Sequence, residues 1–430
     1  MNASLPDMFV IEPVDSAERI TVIAGELKQL LTDEPLSVHA LVGFCDNWSS
    51  EAVKPPAANV PGAVFLGMWL RRGSLMAILD RELGARWQEG WVGENKNRFK
   101  TFPVGLVGHW PAANVQILPL LSGLCALLGG NVSLVRVPPS FVEPVQYLLE
   151  SLRHVHGGEK IARRFRFITF HRDRLDLHEA MARSSDGAMI WGGKEAVTSI
   201  RALPFPYWAR FMVFGPRVSV AALDRGAWTE PEALPKWCLR LARDVWQFDQ
   251  MACSSPQVLF VERNGNDDLS PLLDAMAKAF KEENRAHPRL DIDASLTSAI
   301  VRARASTLLD DINNQAIFPE TPDWTILVHG SLSFPEPVQG KTLHIVPVDD
   351  LRMIAPLLDG NVQTLGLGMT SPQLEAELAE LAGRQGVDRI VRLGSMHVFD
   401  SPWDGNNLIL PMVRKVRHAP SINLAPQGEY

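Results

Sequence analysis

Between residues 104 and 201 the chain alternates short apolar runs with amphipathic stretches, and no other feature restricts its fold so tightly. The runs 104–107, 131–137, 165–170 and 187–191 read as strands. The segments after them, up to residue 128 and over 141–152, 175–183 and 194–201, carry helical spacing. Parallel strands cannot be joined by a tight turn; they need a crossover of roughly a dozen residues, usually a helix. Alternation at this spacing therefore predicts a parallel sheet with helices on both faces. The pattern recurs, with strands at 258–261, 324–329, 342–346, 363–367 and 389–393 and helices at 272–285, 294–313, 351–358 and 372–383. This predicts a second α/β domain. The expected division is residues 1–225, with 398–430 returning to them or forming an oligomerisation segment, and residues 226–397. Before the alternation, the sequence predicts a helix at 16–31 capped by Asp15, a strand at 36–41, a connector at 51–61, one helix across 67–87 and a loop at 91–100.

Composition narrows the function classes. The chain has 430 residues, 46% hydrophobic and 21% charged, enough apolar material for more than one core. Its net charge of −7 gives no general attraction for nucleic acid or an anionic membrane. The basic cluster at 160–166 reads as a solvated helix end. The longest apolar stretch, 115–128, is interrupted by Gln116, Pro119, Ser122 and Gly123 and is too short to cross a bilayer. Four cysteines (Cys45, Cys125, Cys238 and Cys253) form no C-x-x-C pair and no zinc-ligand spacing. So few cysteines, with no signal-peptide pattern at the start, lead us to expect a cytoplasmic protein without membrane insertion.

Cys253 is the residue with most chemical promise. It follows an amphipathic helix at 232–247, precedes the apolar run 258–261, and is flanked by Ala252 and Ser254. Small neighbours let a thiolate reach a cleft, although most free cysteines are small buried hydrophobes, as we read the other three. Three further stretches fit around it. The turn from His109 through Trp110, Pro111, Ala112 and Ala113 to Asn114 ends a strand, with Asn114 expected in the first turn of the next helix. A carboxamide there can donate to a developing oxyanion or cap the helix. Arg136 falls at the C-terminal end of a predicted parallel strand, the ligand-binding edge of such sheets. Gly192 and Gly193 join a strand to a helix, where backbone can approach a pyrophosphate, although the full G-x-G-x-x-G pattern is missing. His109 reads as a packing residue, and Asp249 and Gln250 as hydrogen-bonding supports for the cysteine loop.

Together these stretches resemble the aldehyde dehydrogenase superfamily and, more closely, the LuxC-like acyl-CoA reductases, the reductase component of the bioluminescence fatty acid reductase. The match runs through the Asn114 turn, Gly130-Asn131 to Arg136, Trp191 to Ala196, Phe248 to Pro256, Arg392-Leu393-Gly394 and Trp403-Asp404-Gly405. It implies a Rossmann-type cofactor domain holding a dinucleotide against Trp110, Pro111, Arg136, Gly192 and Gly193, and a second α/β catalytic domain. It implies that Cys253 is the acyl-accepting nucleophile and that Asn114, with the backbone N–H of Cys253, forms the oxyanion hole. Arg136 stands where the superfamily has a ribose-binding lysine. Pro139 stands where NAD-preferring relatives carry a glutamate, so NADPH is the expected reductant and NADH the alternative. The glutamate that activates water in hydrolytic relatives is replaced by Val213, which cannot act as a base. The resemblance thus implies reduction of acyl-CoA or an acyl-protein to an aldehyde, a homo-oligomer, and an acyl-protein synthetase or carrier protein as partner. Oxidative acylation of coenzyme A and a non-catalytic acyl-carrying or scaffolding role are the competing readings. His397 and Asp404 are further candidates to line the site.

Overall fold

The computed structural model describes residues 8–419 except 34, 85–86, 88–89, 94–97, 266 and 290–291. The chain divides into two compact units. One holds residues 1–215, 399–402 and 406–430, and the other residues 216–398 and 403–405.

The first unit contains strands β1 (Ile11–Pro13), β2 (Arg98–Pro103), β3 (Leu106–Trp110), β4 (Val132–Arg136), β5 (Phe165–Thr169), β6 (Gly187–Trp191) and β7 (Arg210–Phe214). Six of these form a sheet in the order β1-β5-β4-β3-β6-β7, with every neighbouring pair parallel. All residues of β3, β4 and β6 are buried, as central strands covered on both faces must be. The helix Leu118–Leu128 is also buried throughout, which explains its largely apolar composition. Strand order reverses between β3 and β6. The crevice beyond their C-terminal ends is the usual ligand site of such sheets.

The second unit contains β8 (Val218–Leu223), β9 (Pro256–Glu262), β10 (Gln315–Ile317), β11 (Thr325–Val328), β12 (Thr342–Val348), β13 (Val362–Gly368) and β14 (Arg389–Arg392). Their order is β10-β11-β12-β9-β8-β13-β14, parallel except for β10. Two bulges interrupt the register at the N-terminal edge. Between β8 and β9, Ser219 opposes Pro256 and Val220 opposes Val258, leaving Gln257 extra. Between β13 and β8, Val218 opposes Val362 and Ser219 opposes Thr364, leaving Gln363 extra. After this unit the chain returns to the first, where β15 (Val413–His418) pairs antiparallel with β2.

The structure corrects several sequence expectations. Residues 36–41 do not form a strand; Ser37 caps the helix Val38–Glu51, accepting from the Ala40 N–H at 3.3 Å. Leu41, Val42, Cys45 and Trp48 fall on its buried face with helical spacing, a period the short window obscured. The helix expected across 67–87 is two, Ala63–Trp69 and Arg72–Leu83, separated by extended backbone at Arg71. The loop expected at 91–100 ends in β2, whose partner lies more than 300 residues away. The segment 351–358 is a 3-10 helix, Leu351–Leu357, containing Pro356. Among the described residues no helix is long and apolar enough to cross a membrane.

Four buried histidines set an acid limit on stability. Burial lowers His109 and His344 to about 3 and His178 and His397 to about 4, from 6.5. Each contributes stability that is present above pH 6.5 and lost as pH falls toward its folded value. The slope is up to about 1.4 kcal/mol per pH unit for each. Asp244, raised by burial to about 7, works in the opposite sense and offsets part of this loss. Urea midpoints are therefore expected to fall steadily from pH 6.5 to pH 4, and a flat profile would contradict the burial of these rings.

Candidate active site

In the first unit, five residues singled out by sequence meet at the reversal of strand order. Trp110 and Pro111 after β3, Arg136 at the end of β4, and Gly192 and Gly193 after β6 line one cleft of about 740 Å³. Gly193 caps the helix Lys194–Arg201 with no side-chain bond, and a Cβ there would meet nothing within 4 Å. The first-turn N–H groups of that helix thus lie beside open space, a setting that suits an anion. Arg136 is buried; its Nη2 donates to the Phe170 carbonyl at 3.1 Å and its guanidinium lies over the Phe170 ring. Its Nε has no hydrogen-bond partner among the described residues. His178 is held by the Trp110 indole N–H, which donates to Nδ1 at 3.0 Å. His171, Arg172 and Asp173 complete one wall. His109 faces away from this work: fully buried, it is bonded through Nδ1 to Ser122 Oγ at 2.8 Å.

Asn114 occupies the turn after β3. The next helix starts only at Leu118, with Ile117 at its N-cap, so the expected place in a first helical turn is corrected. Asn114 is half-buried and lies outside the lining of the cleft.

In the second unit the helix Leu234–Trp246 ends and the chain makes a left-handed turn, with φ of 54°, 53° and 61° at Phe248, Asp249 and Gln250. Such backbone costs about 1–3 kcal/mol per residue and persists only where surrounding bonds enforce it. Gln250 supplies them: Nε2 donates to the carbonyls of Pro256 and Thr342 at 2.8 and 2.9 Å, and Oε1 accepts from the Thr342 N–H at 2.7 Å. Asp249 pairs with Arg289 and Lys341. This turn delivers Cys253 to the N-terminal edge of the sheet, where Ser219 Oγ donates to its carbonyl at 2.7 Å. No helix begins at Cys253, so no helix dipole of its own segment stabilises a thiolate there.

Cys253 is partly accessible, whereas Cys45, Cys125 and Cys238 are buried. Its Sγ accepts from Gln363 Nε2 at 3.2 Å, and the same nitrogen donates to Asp404 Oδ1. Burial pushes the thiol up to about 12 and the Asp404 charge adds to this, while the Gln363 N–H and the Arg389 guanidinium pull it down. Ser254 Oγ bonds His397 Nδ1 at 2.9 Å, and His397 Nε2 donates to the Asp244 carbonyl at 2.7 Å. The latter bond fixes the neutral tautomer with Nδ1 accepting. His397 thus braces the cysteine loop through its neighbour.

Sequence reasoning missed Gln363 and Arg389. Both sit at the N-terminal edge of the sheet, opposite to the edge where parallel sheets commonly bind ligands. The only trace in sequence is a glutamine near the start of a largely apolar strand.

Solved structures with a similar arrangement include glyceraldehyde-3-phosphate dehydrogenase from Methanocaldococcus jannaschii, complexed with NADP. It aligns over 98% of this chain and 100% of its own, with TM-score 0.63 and 11% identity. An NAD-dependent aldehyde dehydrogenase from Sinorhizobium meliloti aligns over 95% and 89%, with TM-score 0.64 and 12% identity. The fold is that of the aldehyde dehydrogenases. Within it, the sequence profile described as acyl-CoA reductase (LuxC) matches residues 30–415, and the chain belongs to that family. Long-chain acyl-protein thioester reductases are among its relatives. That of Photorhabdus laumondii is 22% identical over 355 residues (81% of this chain, 71% of that one), and that of Vibrio harveyi 21% over 350 residues (80% and 70%). The protein is an oxidoreductase acting on acyl thioesters.

Proposed function

We propose that the chain reduces a long-chain acyl thioester to an aldehyde through an acyl-Cys253 intermediate, with NADPH as reductant. The observation that carries this reading is an accessible thiol with a carboxamide N–H 3.2 Å from its sulfur, in a chain of the acyl-CoA reductase family. Thiolate Cys253 adds to the thioester carbonyl. The resemblance to the aldehyde dehydrogenases supports the Asn114 carboxamide and the Cys253 backbone N–H as oxyanion donors in this proposal. The donor thiol, coenzyme A or a protein thiol, departs and leaves the acyl group on Cys253.

The cleft of the first unit fits a dinucleotide. Its open Gly192-Gly193 turn suits the pyrophosphate, and the unpartnered Nε of buried Arg136 suits a ribose phosphate. When bound there, the reduced nicotinamide supplies the hydride that converts the acyl group to an aldehyde. No carboxylate at Pro139 repels a 2′-phosphate, which favours NADPH over NADH. Replacing Arg136 with Met is expected to raise the KM for NADPH about 10- to 100-fold, the worth of one or two charge-assisted bonds, and to leave that for NADH nearly unchanged. Equal losses with both nucleotides would remove Arg136 from the 2′-phosphate.

Val213 packs against the apolar cluster of the first unit, and the next residue, Phe214, stacks on Trp191 at 3.5 Å. The end of β7 therefore offers no base to activate water. Acyl-CoA added without reductant is expected to leave a mass increment of one acyl group on Cys253 that outlasts many turnovers, and NADPH should then discharge it as aldehyde. Intact-mass spectrometry with aldehyde trapping checks both halves. Rapid release of free acid would refute the reading, and comparing acyl-CoA with an acylated protein identifies the preferred donor.

A further inference from the structure

A thiol held near 12 is a poor nucleophile at neutral pH, so the proposed chemistry needs a proton acceptor. Its surroundings in the second unit supply one. Gln363 is the extra residue of the bulge between β13 and β8, and bulges re-aim a side chain that a regular strand would direct elsewhere. The re-aimed carboxamide uses both hydrogens of one nitrogen, one toward Cys253 Sγ and one toward Asp404 Oδ1. Asp404 is presented by left-handed backbone, with φ of 49° there and 69° at Gly405. A Cβ on Gly405 would approach Asp388 Oδ1 to 2.6 Å, and the positive φ at this position favours glycine. The carboxylate is 5% exposed. Two acidic groups therefore flank one amide nitrogen, the carboxyl buried and the thiol partly accessible.

We propose that Cys253, Gln363 and Asp404 act as a unit carrying a single negative charge, with Asp404 as the carrier of the Cys253 proton. The inference rests on the acyl-thioester reading above and supplies an acceptor for the thiol proton, a task distinct from the water activation for which Val213 is unsuited. Cys253–SH and Asp404–COO⁻ exchange to Cys253–S⁻ and Asp404–COOH. The thiolate bonds to the acyl carbon, the bond from that carbon to the donor sulfur breaks, and the departing thiolate takes the proton from Asp404. The sum is a thioester and Cys253–SH giving acyl-Cys253 and a free donor thiol, with Asp404 again ionised. Gln363 does not titrate; it donates to whichever neighbour holds the charge.

Charges around the unit suit this exchange. Arg389 is buried, bonded to Thr364 Oγ1 at 3.0 Å and to the Met396 and Val398 carbonyls, and lies 4.1 Å from the Trp403 ring centroid. It favours the ionised form of both acids. Arg217, paired with Asp388, also favours ionised Asp404, and Asp388 opposes it. Burial, the largest influence, holds Asp404 above the usual carboxylate range. Like charges this close do not readily coexist, so losing one acid's charge eases ionisation of the other.

The test uses two readouts on the full chain: iodoacetamide alkylation of Cys253 across pH 6–10, and acyl-CoA reduction. Cys253→Ala provides the alkylation baseline. Asp404→Asn, and Asp404→Ser should the first variant fold poorly, remove the charge. Alkylation at pH 8 is expected to rise about tenfold, because the thiol ionises more easily. Reduction is expected to fall about 100-fold or more, because the proton carrier is gone. A merely structural role would lower both rates together. That result, unchanged alkylation, or unchanged turnover would each overturn the proposal. In Gln363→Leu both rates should fall, and wild-type alkylation there would remove Gln363 from the unit. Alkylation needs neither acyl donor nor nucleotide. A wild type that no thioester acylates would sink the substrate reading while the alkylation comparison still decides the role of Asp404.

Discussion

Cys253→Ala is expected to abolish acyl-thioester reduction, lowering single-turnover aldehyde formation by about 10⁴-fold or more, because a covalent nucleophile cannot be replaced by its neighbours. No other cysteine can stand in. Burial raises the thiols of Cys45, Cys125 and Cys238 as it raises that of Cys253, so accessibility is what separates them. All three are enclosed in packed regions, whereas Cys253 is partly accessible. The side chain lost is small, and the loop is held by bonds that do not involve Sγ: Ser219 to the Cys253 carbonyl, Gln250 to Pro256 and Thr342, and Ser254 to His397. The variant should therefore unfold at nearly the wild-type urea concentration and still bind nucleotide. Intact mass after incubation with acyl-CoA should show no acyl increment. Substantial aldehyde production by this variant would make hydride transfer direct to the thioester, and the acyl-cysteine step would have to be abandoned.

The parallel α/β architecture was legible because buried central strands are apolar over most of their length, as β3, β4, β6 and β9 are. The cleft of the first unit was legible for a related reason. Trp110, Arg136 and Gly192 each terminate or follow such a strand, so the sheet itself brings them to one edge. Pairings between distant segments left no such mark. Nothing in residues 98–103 announces a partner at 413–418, because the bonds are between backbones. The same holds at the thiol. Gln363 reaches Cys253 only because one residue is extra in a strand, and a bulge is a property of the pairing, not of either strand alone. Asp404 was noticed through resemblance, yet its coupling to the thiol passes through that glutamine and could not be read without it. The Cys253 turn lies between these cases. Its small residues were visible, but Phe248, Asp249 and Gln250 in left-handed backbone run against what side chains of their size ordinarily adopt, and only the bonds of Gln250 explain why they do so.

Asn114→Ala is expected to lower turnover about 100- to 1,000-fold, the usual consequence of removing one oxyanion donor. Asn114 does not occupy the capping position of the helix that follows, since that helix starts four residues later. The urea midpoint of the variant, measured alongside, separates a loss of fold from the loss of the donor. A donor that acts only on the developing oxyanion contributes little to binding the neutral thioester, so kcat should carry the loss and KM should move little. Alkylation of Cys253 by iodoacetamide generates no such oxyanion and should proceed at the wild-type rate. That separates Asn114 from Asp404 and Gln363, whose replacement changes the thiol itself. Asn114→Asp tightens the comparison: it keeps the shape, yet places a carboxylate where negative charge must develop, and should be slower than the alanine variant above about pH 5. If Asn114→Ala instead turned over within threefold of wild type, the oxyanion would have to be held without it. The Cys253 backbone N–H and the Gln363 carboxamide, already 3.2 Å from the sulfur, would then be the donors to remove next.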